Sequence, residues 1–243
     1  MRGYAAGLRA MGITRGERVV LMIRPGLDFL PLTYALFQIG AVPVLIDPGM
    51  GRGKLLDCVR QVRPEGFVGI PLAHVARLLF PGAFRGVRHL VTLGPKLGWG
   101  GCTAASLLRH GEDREPAVLA PQDLAAIIFT TGSTGPPKGV EYTHGMFATQ
   151  VDLLGELFGI GPGEVDLAGF ALFAIFTLAL GMKVVIPEMD PTRPARVNPE
   201  RIVEAVRDHQ ASFSFGSPAL WTTVGQGLPA TARLATLRGV VMA

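Results

Sequence analysis

Residues 127–140 read IIFTTGSTGPPKGV, an apolar run that leads into glycines, hydroxyl side chains, two prolines and a lysine. Gly132 and Gly135 permit positive φ angles and a close approach of a ligand to the backbone, so that consecutive N–H groups can converge on an anion. Lys138 adds a positive charge. Hydroxyl side chains that can donate to phosphate oxygens are those of Thr130, Thr131, Ser133 and Thr134. We therefore predict a buried strand followed by a polyphosphate-binding loop.

This loop differs from two other phosphate-binding sequences. A Walker A loop has Gly before its Lys and Ser or Thr after it, whereas Pro137 precedes Lys138 and Gly139 follows it. The glycine fingerprint of dinucleotide-binding folds is also missing from the sequence. A flexible Ser/Thr/Gly hairpin or linker is the alternative interpretation, but a linker needs neither a strand before it nor paired prolines and a lysine.

The sequence on either side alternates between short apolar runs and segments with helical periodicity. Strands are predicted at 18–23, 41–47, 66–70, 89–93, 124–129, 165–170, 183–187, 212–215 and 238–242. Helices are predicted at 28–39, 53–62, 72–80, 143–158, 171–180, 199–209 and 218–224, with Asp28 and Thr143 as N-caps and Gly40 as a stop. This order predicts an α/β fold with mainly parallel sheets and helices on both faces.

The alternation breaks at residues 95–121, which contain glycines, prolines and the charged run GEDRE. We expect a linker or long excursion there, between a first αβ sub-domain at 1–94 and a second at 122–243. The chain stops at Ala243 within an expected strand. We therefore expect a truncated second sub-domain and interpret the sequence as a fragment.

Composition excludes several classes of protein. Of the 243 residues, 49% are hydrophobic and 17% charged, which is too apolar for a disordered chain. The net charge of +4 is not arranged as a basic run with aromatics, so no nucleic-acid partner is expected. Two cysteines and the lack of a signal peptide favour the cytoplasm. The apolar run 167–182 is short for a membrane span and is interpreted as buried core.

The phosphate-loop sequence resembles the signature of the adenylate-forming superfamily, which includes acyl-CoA synthetases, adenylation domains and luciferases. The family pattern is Thr-Ser-Gly-Thr-Thr-Gly-x-Pro-Lys-Gly, in which Thr131 replaces the Ser and Ser133 the first of the paired Thr residues. The approach PQDLAAIIFTTGSTG, the following Tyr-Thr-His, the opening segment 5–48 and the stretch FSFGSP at 213–218 are also similar to the family. The resemblance thus covers nearly the whole chain and implies two sub-domains of an adenylate-forming N-terminal domain.

The resemblance also implies a reaction and its cofactors, ATP and Mg²⁺. In this family a carboxylate attacks the α-phosphate of ATP, and an acyl-adenylate and pyrophosphate form. It implies that the β- and γ-phosphates bind at Thr130, Thr131, Gly132, Ser133, Thr134, Gly135 and Lys138, with Thr134 as a candidate Mg²⁺ ligand. Lys138 is not the family's adenylation lysine, which lies in a C-terminal domain.

A second group of residues is expected to form an acyl pocket. The segment FALFAIF at 170–176 has Ala174 where the family often carries a His, and its other side chains suit a hydrocarbon tail. The pocket is predicted to contain Phe173, Ala174, Phe176, Phe215, Gly216 and Trp221. For any one of the large apolar side chains of 170–176, ordinary core packing is an equal alternative. Together with 181–199, these segments resemble the β-lactone synthetases of bacterial olefin biosynthesis, which cyclise a long-chain 2-alkyl-3-hydroxy acid without CoA.

Alternatives remain open at this point. A long-chain fatty acyl-CoA ligase would share these motifs, and a non-catalytic scaffold would retain the fold alone. The resemblance to the olefin pathway implies thiolase-like and reductase partners. The family's adenine and Mg²⁺ motif, ribose-binding Asp, hinge and mobile C-terminal domain with its catalytic Lys are missing from this sequence. We therefore expect this fragment alone to be inactive.

Overall fold

The computed structural model describes residues 1–130, 137–229 and 231–242, except for the side chains of Pro48 and Thr130. The chain forms two compact units, Met1–Met146 and Phe147–Ala243. Both are built from sheets and helices that alternate along the chain. The α/β class predicted from the sequence is therefore confirmed.

The first unit contains most of the strands. Its elements are α1 (Arg2–Ala10), β1 (Arg18–Met22), α2 (Phe29–Ile39), β2 (Val42–Ile46), α3 (Arg52–Val62), β3 (Gly66–Gly69), α4 (Pro71–Leu79), β4 (His89–Thr92), β5 (Cys102–Thr103), α5 (Ala104–Leu107), β6 (Leu124–Thr130), β7 (Lys138–Thr143) and the start of α6 (His144–Phe158). The sheet order is β5-β4-β3-β1-β2-β6-β7. Neighbouring strands are parallel except β6 and β7, which are antiparallel.

Alternate residues of the central strands are buried on opposite faces of this sheet. Val20 of β1 and Val44 of β2 pack in a cluster with the α3 residues Val59 and Val62. Val19, which precedes Val20 in β1, is equally buried but lies outside that cluster. A strand that is covered on both faces reads as a continuous apolar run, as RVVLM and VPVLI do here. The near-continuous apolar runs, rather than a period of two, therefore identified these strands correctly.

Helix α2 begins and ends at the predicted residues, but its N-cap residue does not make the expected capping hydrogen bond. Gly40 ends the helix with a left-handed φ of 75°, as predicted. Asp28 occupies the N-cap position, but its side chain makes no capping hydrogen bond. Instead it accepts a hydrogen bond of 2.5 Å from the Tyr4 hydroxyl. The expected cap is thus used to hold α1 against the start of α2.

Residues 95–121 form more structure than a linker. They contain β5, which extends the sheet beside β4, and α5, which begins with a capping box between Thr103 and Ser106. The later part is also attached, since the Gln38 side-chain amide donates to the backbone oxygen of Asp113 and Arg9 forms an ion pair of 2.6 Å with the Asp113 carboxylate. Glycine and proline content therefore indicated a break in the alternation but not an unpacked chain.

The second unit has a smaller sheet. It contains the rest of α6, then β8 (Val165–Ala168), α7 (Ala174–Ala179), β9 (Lys183–Val185), α8 (Pro199–His209), β10 (Phe213–Gly216), α9 (Pro218–Gln226) and β11 (Gly239–Met242). The sheet order is β11-β10-β8-β9 and all pairs are parallel. Leu167 of β8 packs with Ile202 and Leu220 of α8 and α9. Within the described residues, no helix has both the length and the apolarity needed to cross a bilayer.

The boundary between the units differs from the expected one. The sequence pattern predicts residues 122–143 in the second sub-domain, whereas the structure places β6 and β7 in the first. The cause is strand pairing: β6 bonds to β2, with Val44 opposite Ile127 and Ile46 opposite Phe129. This pairing joins segments about eighty residues apart, which local sequence patterns do not reveal.

Substitution of Gly7 tests the packing of residues 95–121 on α1. A Cβ atom at Gly7 would lie 2.5 Å from the Cβ of Leu107 and 2.6 Å from its backbone oxygen. We expect Gly7→Ala to lower the free energy of unfolding of the full-length protein by about 1–3 kcal/mol, because overpacking against backbone outweighs the gain in helix propensity. Chemical denaturation measures this change.

The matched control is Gly53→Ala in α3. A Cβ atom there meets no atom within 4 Å, so this helical substitution should leave stability unchanged or raise it by up to about 1 kcal/mol. Equal effects of the two substitutions would contradict the close packing of α1 on α5.

Candidate functional site

The phosphate-loop sequence connects two paired strands. The last pair of the β6–β7 ladder joins Thr130 to Lys138, so the two ends of the loop are held side by side by the sheet. The predicted ligands Thr131, Gly132, Ser133, Thr134 and Gly135 lie outside the described residues, and of Thr130 only the backbone is described. The structure thus gives the position of the loop ends.

Lys138 begins β7 and its side chain is exposed. Among the ion pairs between described residues, none involves this ammonium group. The loop sequence from Thr131 to Pro137 contains no acidic residue that could neutralise it. An exposed cation beside a loop without carboxylates is suited to an anionic ligand, and the residues present are therefore compatible with the phosphates of ATP.

Gly139, which was not predicted as a site residue, has a structural role in this hairpin. It lies opposite Phe129 in the ladder, and a Cβ atom there would be 3.0 Å from Cζ of that ring. The absence of a side chain lets the Phe129 ring lie over the backbone of the edge strand. The sequence feature that could have predicted this contact is the glycine directly after Lys138. Glycine is unfavourable within a strand and often marks a place where another group approaches the backbone closely.

The residues after β7 start the next helix. Thr143 accepts a hydrogen bond of 3.1 Å from the backbone N–H of Met146, which confirms the predicted N-cap. The His144 ring packs edge-on against Phe37 with centroids 6.0 Å apart. Burial lowers the pKa of His144, although the nearby Asp123 carboxylate opposes this shift. His144 is thus a half-buried packing residue.

In the second unit the structure brings together three of the aromatic residues predicted for the acyl pocket. The rings of Phe173 and Phe215 are stacked with centroids 3.8 Å apart, and Phe176 lies 5.9 Å from Phe173. Ala174 is completely buried beside them at the start of α7. The small side chain at this position is therefore buried at the start of the helix that carries Phe176.

Gly216 and Trp221 lie where β10 passes into α9. Ser217 caps this helix by accepting from the N–H of Leu220, and Pro218 occupies the first turn as predicted. A Cβ atom at Gly216 would be 3.0 Å from Nε1 of Trp221. That indole nitrogen is buried and has no hydrogen-bond partner among the described residues. Ligands of parallel α/β sheets bind at this carboxyl end of the strands.

A buried carboxyl group lies beside the aromatic cluster and was not predicted as a site residue. Asp166 of β8 is fully buried and accepts a hydrogen bond of 2.6 Å from the Thr177 hydroxyl of α7. Its other oxygen, Oδ1, has no partner among the described residues. Burial raises the pKa of Asp166 to about 6, while Thr177 and the backbone N–H of Phe215 oppose this shift. The sequence feature that could have predicted this site is the single acidic residue, Asp166, within an apolar strand.

The described residues hold no group of three or more His, Cys, Asp or Glu side chains that could bind a metal ion. The candidate Mg²⁺ ligand Thr134 lies outside them. Binding of Mg²⁺ therefore stays a prediction from the family resemblance.

Asp166→Asn tests the buried carboxyl group. Because the pKa of Asp166 is raised in the folded state, the folded protein binds this proton more tightly than the unfolded chain. Its contribution to stability is therefore lost as pH rises from about 4 to about 6, by roughly 3 kcal/mol in total. We expect the Asn variant to gain stability relative to the wild type over that range, measured by chemical denaturation at each pH.

The control is Asp152→Asn, which changes an exposed acid of α6. Its pH dependence should follow that of the wild type. If Asp166→Asn gave the same curve as the wild type, the carboxyl group would not be the source of the pH dependence.

Comparison with known proteins agrees with this arrangement. The family model described as AMP-binding enzyme matches residues 1–243. The chain is 50% identical over 235 residues to the olefin β-lactone synthetase of Stenotrophomonas maltophilia, covering 95% of this chain and 42% of that protein. It is 47% identical over 240 residues to the olefin β-lactone synthetase of Xanthomonas campestris, covering 97% and 43%. The chain spans less than half the length of these curated relatives.

Solved structures share the fold. The long-chain-fatty-acid-CoA ligase FadD1 from Archaeoglobus fulgidus superposes with a TM-score of 0.84 at 23% identity, covering 99% of this chain and 48% of that one. The anthranilate CoA ligase AuaEII, solved in complex with anthranoyl-AMP, gives 0.85 at 19% identity, covering 99% and 48%. The sheets and helices thus match the N-terminal domain of adenylate-forming enzymes. The chain belongs to the AMP-binding enzyme family.

Proposed function

We propose that the protein containing this chain uses ATP to adenylate a long-chain carboxylic acid. The proposed substrate is a 2-alkyl-3-hydroxy acid, which the enzyme cyclises to a β-lactone with release of AMP. The observation that carries this proposal is the identity of 50% and 47% to two olefin β-lactone synthetases along nearly the whole chain. The thiolase-like and reductase partners and the cytoplasmic location stay predictions of the same proposal.

The first part of the proposed reaction depends on the hairpin between β6 and β7. Oxygen of the substrate carboxylate attacks the α-phosphate of ATP, and the bond to pyrophosphate breaks. Charge then builds on the departing pyrophosphate. The paired loop ends at Thr130 and Lys138 support a role in holding it, because the sheet fixes the backbone of Lys138 beside the loop and a nearby cation stabilises such charge. Mg²⁺ bound with ATP would supply further positive charge.

The second part depends on the aromatic cluster. Phe173, Phe176 and Phe215 form an apolar cluster near the carboxyl end of β10. Transfer of a hydrocarbon chain from water into such apolar surroundings is favourable. Ala174 leaves out the imidazole that relatives often carry at this position. The absence of that ring is compatible with a substrate branched beside its carboxyl group.

Cyclisation needs no second substrate. The β-hydroxyl oxygen attacks the acyl carbon, the bond to the AMP oxygen breaks, and the hydroxyl proton passes to solvent or a base. The nucleophile and the activated carbonyl belong to one molecule, which gives the step a high effective concentration. Cleavage of ATP drives closure of the strained ring.

The full-length protein, incubated with ATP, Mg²⁺ and a long-chain 2-alkyl-3-hydroxy acid, is expected to form β-lactone, AMP and pyrophosphate equally well with and without CoA. Mass spectrometry of the lipid product and coupled detection of pyrophosphate measure this outcome. The matched control is the same acid without its 3-hydroxyl group, which should be adenylated but should give no lactone. A product that forms only when CoA is added would identify a CoA ligase instead.

Lys138→Ala is expected to lower the rate of pyrophosphate release about 100-fold, because it removes a positive charge beside the departing pyrophosphate. Since the side chain is exposed, the thermal midpoint should not change. Lys183→Ala, which removes an exposed lysine at the start of β9, is the matched control and should retain full activity. Undiminished pyrophosphate release in the Lys138 variant would refute the phosphate role.

A further inference from the structure

The exposed face of α4 is entirely apolar. Its exposed side chains are Leu72, Val75, Leu78 and Leu79, and at 100° per residue they fall within an arc of about 120°. Leu72 and Leu79 are 70% and 69% exposed. A surface helix normally presents charged and polar residues on this side, and exposed contiguous apolar surface of this kind marks an interaction site.

The orientation of this face is fixed by a buried histidine. His74 is the buried residue of α4, and its Nε2 lies 3.0 Å from the backbone oxygen of Val91 in β4. Its ring stacks on Trp99 with centroids 5.1 Å apart and an angle of 4°. Burial lowers the pKa of His74, so the ring is neutral in this contact. With His74 directed towards the sheet, Leu72 and Leu79, which lie about 160° and about 140° round the helix from it, face away from the sheet.

The same stacking holds a second exposed segment beside α4. Residues 94–101 include Trp99, whose backbone oxygen also accepts from the Arg77 side chain. This loop exposes Leu97 (70%) and the side chain of Lys96. At the other end of the helix, the guanidinium of Arg52 lies 5.9 Å from the ring of Phe80, the residue after α4. Cations thus flank the apolar face.

The charge of this region has one sign. Residues 66–111 contain no Asp or Glu and carry five basic residues, Arg77, Arg85, Arg88, Lys96 and Arg109. Acidic residues close to this run in sequence or contact are already in ion pairs: Asp57 with Arg60, Glu65 with Arg18, and Glu17 with Arg88. No ion pair between described residues involves Arg52 or Lys96. Two cations that no ion pair between described residues neutralises, Arg52 and Lys96, thus flank the apolar face. Such a face is complementary to a surface with an apolar interior and anionic groups at its edge.

We propose that α4 and residues 94–101 bind the surface of an anionic lipid bilayer. The exposed face of α4 has leucine and valine side chains but no aromatic or hydrogen-bonding ones, so it offers little specificity for a protein partner. Aliphatic side chains enter the acyl region of a bilayer without needing a defined pocket. Lys96 and Arg52 then lie at the level of the anionic headgroups, which attract basic residues. This binding needs no catalysis and is independent of the proposed reaction.

The test is flotation of the full-length protein with vesicles of 70% phosphatidylcholine and 30% phosphatidylglycerol, or of phosphatidylcholine alone. We expect binding to the anionic vesicles, weaker binding to neutral ones, and release in high salt. Leu72→Gln with Leu79→Gln should lower the affinity at least about ten-fold. Arg52→Gln and Lys96→Gln should each lower it about five-fold.

The matched control changes two exposed apolar residues of the first unit outside this surface, Leu27→Gln with Val118→Gln, which are 95% and 90% exposed. It should bind as the wild type does. The proposal is overturned if the full-length protein does not float with anionic vesicles, or if the α4 variant and the control bind equally. It is also overturned if the α4 variant instead dissociates an oligomer during size-exclusion chromatography, since the face would then be a protein interface. Adenylation rates of the α4 variant with a water-soluble short-chain acid separate this result from a failure of the proposed reaction.

Discussion

The pairing of β6 with two different neighbours determines how the first unit presents its loop. On one side β6 is parallel to β2 and buried with it in the sheet. On the other side it is antiparallel to β7, so that the chain must reverse between Thr130 and Lys138. A parallel connection would have carried the chain away to the opposite end of the sheet. The antiparallel connection returns the chain directly to β6 and places Lys138 beside Thr130, where the loop begins.

This hairpin depends on packing that is not itself part of a binding site. Phe129 is buried in the core cluster and also covers Gly139 on the edge strand. The aromatic ring thus couples the position of β7 to the core of the unit. The exposed side chains of β7 include Lys138 and Glu141, charged residues of the kind that keep an edge strand from pairing with another chain.

The second unit contains a buried polar contact within an apolar surrounding. Asp166 and Thr177 join β8 to α7 on the face of the sheet opposite the cluster around Leu167. Burial disfavours the charged form of the Asp166 carboxyl group and therefore raises its pKa. In return the hydrogen bond fixes the helix that carries Ala174 and Phe176. A contact of this type specifies one orientation of a helix where apolar packing alone would tolerate several.

The sequence by itself determined the α/β class, the position of most helices and strands, the caps at Thr143 and Gly40, and the family. These features follow from local patterns: apolar runs, helical periodicity, capping residues and one specific motif. Only the tertiary structure decided that β6 belongs to the first sheet, that Leu107 packs on Gly7, and that Asp28 binds Tyr4 rather than capping α2. It also decided which residues Asp166 and Gly139 contact. Each of these depends on a contact between residues that are distant in sequence or on different strands. The free energy of such a contact comes from burial and close approach in three dimensions, which no local pattern of residues encodes.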